Sequence, residues 1–101
     1  MSALGPDGDA VMAVIAGRAL DRNRDRAARL EELVKGDLDG EARDEAVTLA
    51  HQVAGSAGTF GYDAASDDAR TAMDLLADGA DAAEVAPFVE SVRSLLEGPP
   101  A

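Results

Sequence analysis

The chain has 101 residues, the length of one domain, and its 9 basic and 20 acidic residues give a net charge of −11. It has no cysteine, which excludes thiolate metal sites, cysteine nucleophiles and disulfides. The acidic excess opposes binding to nucleic acid and to anionic membranes, because both rely on Lys and Arg to neutralise negative charge.

The sequence carries no apolar run of membrane-spanning length, and residues 1–9 lack the features of a secretory signal. We therefore expect a cytoplasmic protein that binds neither nucleic acid nor membrane. Glycine and proline cluster near both ends of the sequence. The chain, residues 1–101, is thus predicted to form a single domain with an ordered core over about residues 9–97.

The apolar pattern is helical, and no segment alternates as a β-strand does. In chain order it predicts a first helix from about residue 10 to 35, a second over about 41–60 and a third from about 63 to 77. A last helix contains Val85 to Leu96, and Pro87 suits its first turn. Gly17 leaves open whether the first helix is continuous. The fold class predicted is all-α, an antiparallel four-helix bundle with an additional or kinked N-terminal helix.

The second helix contains the only histidine of the chain, His51. On a helical wheel the apolar residues of this helix fall within one arc of about 100°. They are Ala42, Ala46, Leu49, Ala50, Val53, Ala57 and Phe60. His51 lies about 160° from the middle of that arc, so the pattern predicts an imidazole that faces solvent.

Small residues surround His51 on its own side of the wheel, with Ala54 and Gly55 one turn ahead, Gly58 two turns ahead and Val47 one turn behind. Each glycine within a helix costs about 1 kcal/mol relative to alanine. Glycines of this kind commonly serve close helix packing, but here they lie away from the predicted core stripe. The pattern therefore indicates an accessible histidine with Val47, Ala54, Gly55 and Gly58 as a docking surface for another protein.

The segment from His51 to Gly61, with the sequence HQVAGSAGTFG, resembles the signature of histidine-containing phosphotransfer (HPt) domains. In that family the phosphorylated histidine is followed by an apolar residue at +2, glycine at +4, a small residue at +6 and glycine at +10. Val53, Gly55, Ala57 and Gly61 match this pattern. The resemblance implies that His51 accepts a phosphoryl group from an aspartyl phosphate of a receiver domain and passes it to a second receiver.

The resemblance also implies a phosphocarrier that is not a self-sufficient enzyme. Its partners would be response-regulator receiver domains and a hybrid histidine kinase. No cofactor or metal site is expected in this chain, because in the family the receiver brings the magnesium ion. Gln52 is a candidate for orienting the phosphoryl group, and the family expectation is a monomer.

One position departs from the family pattern, because Ala54 stands where the family usually has lysine. An arginine from another helix, one of Arg18 to Arg29 or Arg70, could replace that charge, or a partner could supply it. The same departure supports an alternative function, a degenerate HPt-like module that docks receivers or kinases without carrying phosphate.

Overall fold

The computed structural model describes the backbone over residues 5–101 and the side chains over residues 8–101. The described chain forms four helices, α1 (Gly5–Lys35), α2 (Gly40–Thr59), α3 (Asp63–Ala77) and α4 (Ala82–Glu97). α1 packs on α2, α2 on α3, α3 on α4, and α4 on α1. This is the predicted four-helix bundle, and each helix has two neighbours.

The connections between α2, α3 and α4 depend on glycine where the sequence pattern places a helix end. Gly61 (φ +89°) follows α2 and Gly79 (φ +84°) follows α3, and both adopt the left-handed conformation that glycine tolerates best. α4 begins at Ala82, where the Asp81 carboxylate accepts a hydrogen bond from the backbone N–H of Glu84. The helix therefore starts five residues before Pro87. Pro87 lies in the second turn of α4 and not in the first, as the sequence suggested.

α1 runs without a break through Gly17, so no separate N-terminal helix precedes the bundle within the described residues. Its 31 residues correspond to about 46 Å, longer than the other helices. The first part of α1 leaves four large apolar side chains exposed: Val11, Met12, Val14 and Ile15. Burial begins at Ala19, so the preceding turns extend beyond the helices they would otherwise pack against.

The core consists of two clusters of apolar side chains stacked along the bundle. One is centred on Val53, Val92 and Leu96, and the other on Leu30, Leu76 and Val85. Many of the remaining core positions are alanines, which let the helix backbones approach closely. Within residues 5–101, none of the four helices combines the length and the apolar composition that a membrane span requires.

A polar contact also crosses the α1–α2 interface. Asn23 is 2% exposed, and its amide donates a hydrogen bond of 3.0 Å to the Ser56 hydroxyl. Arg26 donates to the amide oxygen of Asn23 at 3.1 Å, so both ends of the buried amide are satisfied. This contact places α1 against the C-terminal half of α2.

Candidate functional site

The buried stripe of α2 differs in part from the stripe predicted from the sequence. Its buried residues are Ala46, Ala50, Val53, Ala54 and Ala57. Leu49 is only half-buried, whereas Ala54 is 4% exposed. Relative to the predicted stripe, the centre of burial is therefore rotated toward the side of α2 that carries His51.

The cause of this rotation is the close approach of α3. The Ser66 hydroxyl donates a 2.6 Å hydrogen bond to the carbonyl oxygen of Ala54, and Ser66 is itself buried. A Cβ atom added to Gly58 would lie 3.1 Å from the Ser66 Oγ. Gly58 thus allows α3 to approach closely. The sequence pattern had argued against such a packing role for this glycine.

His51 lies at the edge of α2 that adjoins α3. Gly58 is two turns further along and only about 20° away around the helix, and Gly58 faces Ser66 of α3. His51 itself is exposed, and within the described side chains its ring has no hydrogen-bond partner. The prediction of a solvent-facing histidine agrees with this structure, although the ring lies closer to the packed edge than the wheel indicates.

The other predicted site residues differ in how exposed they are. Gly55 is exposed and has no atom within 4 Å of the position a Cβ would take, so the space one turn beyond His51 is open. Val47 is half-buried against the core, and Gln52 is exposed on the side of α2 toward α1. Ala54 is a core residue, so the interpretation that its side chain contributes to an exposed docking surface is wrong.

α3 contributes residues to the same face, and of these the sequence suggested only Arg70, as one of several candidate arginines. Ser66 pairs with Ala54, and further along Leu76 accepts a hydrogen bond of 3.1 Å from Arg43 of α2. The two helices are antiparallel between these contacts. Arg70, one turn beyond Ser66, is therefore level with His51, which lies about one turn before Ala54.

α1 packs along the opposite edge of α2, where an ion pair joins the two helices. Arg29 forms a bidentate ion pair with Glu45 through N–H···O distances of 2.7 and 3.1 Å. This hydrogen bonding to Arg29 lowers the pKa of the Glu45 carboxyl below its usual value. Arg29 is thus held at the edge of α2 that carries Glu45.

The comparison with protein families agrees with the helical bundle. A model of the Hpt domain matches residues 15–98, more than four-fifths of the chain. The chain belongs to the Hpt domain family. Neither a curated protein nor a solved structure is significantly similar to it.

Membership of the Hpt family gives this domain its general role. Hpt domains are phosphotransfer modules of two-component systems, and they act as phosphocarriers that interact with receiver domains and kinases. The all-helical bundle described above is the fold expected of the family.

Proposed function

We propose that this Hpt domain carries a phosphoryl group on His51 and shuttles it between the aspartates of two receiver domains in a phosphorelay. The observation that carries the proposal is the position of His51, which is exposed on the α2–α3 face beside the open space at Gly55. The imidazole is therefore accessible from solvent to a partner domain.

The transfer needs little from this chain beyond a correctly placed nucleophile. A neutral imidazole nitrogen, expected to be Nε2, attacks the phosphorus of the aspartyl phosphate. The N–P bond forms as the bond between phosphorus and the aspartate oxygen breaks. The aspartate leaves as a carboxylate and keeps the electron pair of that bond. Nδ1 keeps its proton. The reverse step regenerates the imidazole when a second receiver offers its own aspartate.

Phosphoryl transfer depends mainly on alignment and on neutralisation of charge on the transferred group. In the proposed complex the receiver supplies the magnesium ion, and this chain requires no cofactor. Val47, Gly55 and Gly58 would form part of the docking surface, with Gln52 at its margin. Such a relay would operate in the cytoplasm, with response-regulator receivers and a hybrid histidine kinase as partners.

The experiment is transfer from a radiolabelled phosphorylated receiver to the purified chain, with His51→Ala and Gln52→Ala compared with wild type. We expect label on wild type that is stable in base and labile in acid, and no label on His51→Ala. Because His51 is exposed, the His51→Ala protein should remain folded by circular dichroism. Label that persists on His51→Ala would overturn the proposal.

A second candidate function is a docking module that binds receivers without carrying phosphate, favoured by the alanine at position 54. The same assay separates the two functions when it is paired with a measurement of receiver binding. Binding that is retained by wild type without any label would support the docking module instead.

A further inference from the structure

We infer that Arg70 of α3 supplies the positive charge that the family usually places at the position of Ala54, and that its guanidinium binds the phosphoryl group during transfer. The inference rests on the proposed function of His51. It assigns a catalytic contact to a residue on a different helix from the histidine.

The first argument is the position of Arg70 on α3. Ser66 faces α2, whereas Asp68 accepts a 2.5 Å hydrogen bond from Ser91 of α4, so α2 and α4 lie on opposite sides of α3. Arg70 follows Ser66 by one helical turn and therefore lies on the side toward α2. Since it is also level with His51, the two side chains share the α2–α3 face.

The second argument is the availability of its guanidinium. The Arg70 side chain is 56% exposed, and its ion pair with Asp67 is long, at 3.7 Å. An exposed pair of this kind contributes little and exchanges readily with a stronger partner. A phosphoryl group is such a partner, because its oxygens accept two parallel N–H bonds from one guanidinium.

The third argument is the placement of the other cations. Most of the remaining basic side chains are already bound to carboxylates, an amide or carbonyls elsewhere in the bundle: Arg24, Arg26, Arg29, Lys35, Arg43 and Arg93. Arg18 and Arg22 are exposed on α1, which adjoins the far edge of α2. Of the alternatives open from the sequence, only Arg70 lies on the face of His51.

The charge matters because the surroundings are acidic. Residues 36–101, which include His51, hold three basic and fourteen acidic residues, so an arriving phosphoryl group approaches a part of the chain with a net negative charge. A guanidinium that donates to the equatorial oxygens offsets this repulsion most strongly in the transition state, where the aspartate and the imidazole both contact the phosphorus.

The test measures the rate of transfer from a phosphorylated receiver to wild type, Arg70→Ala, Arg70→Lys and Arg22→Ala. Arg22→Ala is the matched control, because it removes the same charge from an exposed helical position on α1. We expect Arg70→Ala to slow transfer about tenfold, as loss of a charged hydrogen bond would. Arg70→Lys should recover part of the rate, and Arg22→Ala should match wild type.

The possible results distinguish the role of Arg70 from the proposed phosphorylation of His51. Equal rates for Arg70→Ala and Arg22→Ala, with wild type labelled on His51, would overturn the role of Arg70 and leave the phosphocarrier intact. Absence of label on wild type would overturn both. Thermal unfolding of Arg70→Ala within experimental error of wild type would confirm that a slower rate is not due to a loss of structure.

Discussion

The hydroxyl of Ser66 on α3 donates a 2.6 Å hydrogen bond to the carbonyl oxygen of Ala54, three residues after His51 on α2. This contact brings the two helices together beside the exposed histidine. It buries Ala54, and it favours glycine at position 58, where a Cβ would lie only 3.1 Å from the Ser66 Oγ. The geometry of the site is therefore set by packing between α2 and α3.

Two glycines of α2 provide a matched test of this packing. Gly55→Ala should stabilise the protein by about 0.5–1 kcal/mol, because its Cβ would meet open space and alanine favours the helix. Gly58→Ala should be less stable than Gly55→Ala by at least about 1 kcal/mol, because its Cβ would crowd Ser66. Urea unfolding of both variants measures the difference.

The Ser66→Ala background serves as the control for that pair. Without the hydroxyl, Gly58→Ala should cost less than in wild type, which a double-mutant cycle would report as coupling between the two positions. Equal stabilisation by Gly55→Ala and Gly58→Ala in wild type would show that α3 does not approach as closely as described.

The same contact marks where sequence reasoning succeeded and where it failed. The spacing of apolar residues predicted the helices and the exposure of His51, because amphipathic periodicity depends on one helix alone. It placed Leu49 in the core and Ala54 outside it, because the wheel does not show which neighbouring helix approaches most closely. That approach depends on Ser66 and Gly58, two small residues on different helices.

The choice of Arg70 from among the candidate arginines could not be made from the sequence for a similar reason. Arg70 was one of several arginines that could have faced the histidine, and the choice among them depends on the pairing of α2 with α3. That pairing is specified by tertiary contacts such as Ser66 with Ala54 and Arg43 with Leu76. Asn23 is a parallel case, since the pairing of its buried amide with Ser56 also depends on how two helices meet.

Arg43 holds the end of α3 and the following loop to α2. Its guanidinium donates to the carbonyl oxygens of Leu76, Ala80 and Leu38 at 3.1, 2.8 and 3.3 Å. Arg43→Ala should destabilise the protein by about 2 kcal/mol, because half-buried carbonyls lose a charged donor. Thermal or urea unfolding would measure this.

Arg43→Lys separates the effect of charge from that of hydrogen bonding. Lysine keeps the positive charge but lacks the planar guanidinium that donates to three carbonyls. We expect it to recover less than half of the lost stability. Arg22→Ala, at an exposed position of α1, should stay within about 0.5 kcal/mol of wild type. An Arg43→Ala protein as stable as Arg22→Ala would contradict the assigned contacts.

The ion pair between Arg29 and Glu45 predicts a dependence of stability on acid. Hydrogen bonding to Arg29 lowers the pKa of Glu45 in the folded protein below the usual value of 4.5. Glu45 therefore contributes stability that is present above about pH 4.5 and is lost as the pH falls through its lowered pKa. The contribution is small, because both side chains are nearly half exposed.

Urea unfolding at pH 7 and at several values below pH 4.5 would test this for wild type and Glu45→Gln. The variant should be slightly less stable at pH 7, and the difference between the two proteins should shrink toward acid pH. Glu90→Gln is the control, since it removes a carboxylate from an exposed position of α4. A difference between wild type and Glu45→Gln that stays constant with pH would contradict the assignment.

The central claim is that His51 receives the phosphoryl group, and direct mapping of the modified residue tests it best. The chain is incubated with a phosphorylated receiver, kept at alkaline pH to preserve phosphohistidine, and fragmented in a mass spectrometer. We expect one added phosphoryl group, located on His51. An unmodified His51 after incubation with a receiver that binds the chain, or a phosphoryl group on any other residue, would contradict it.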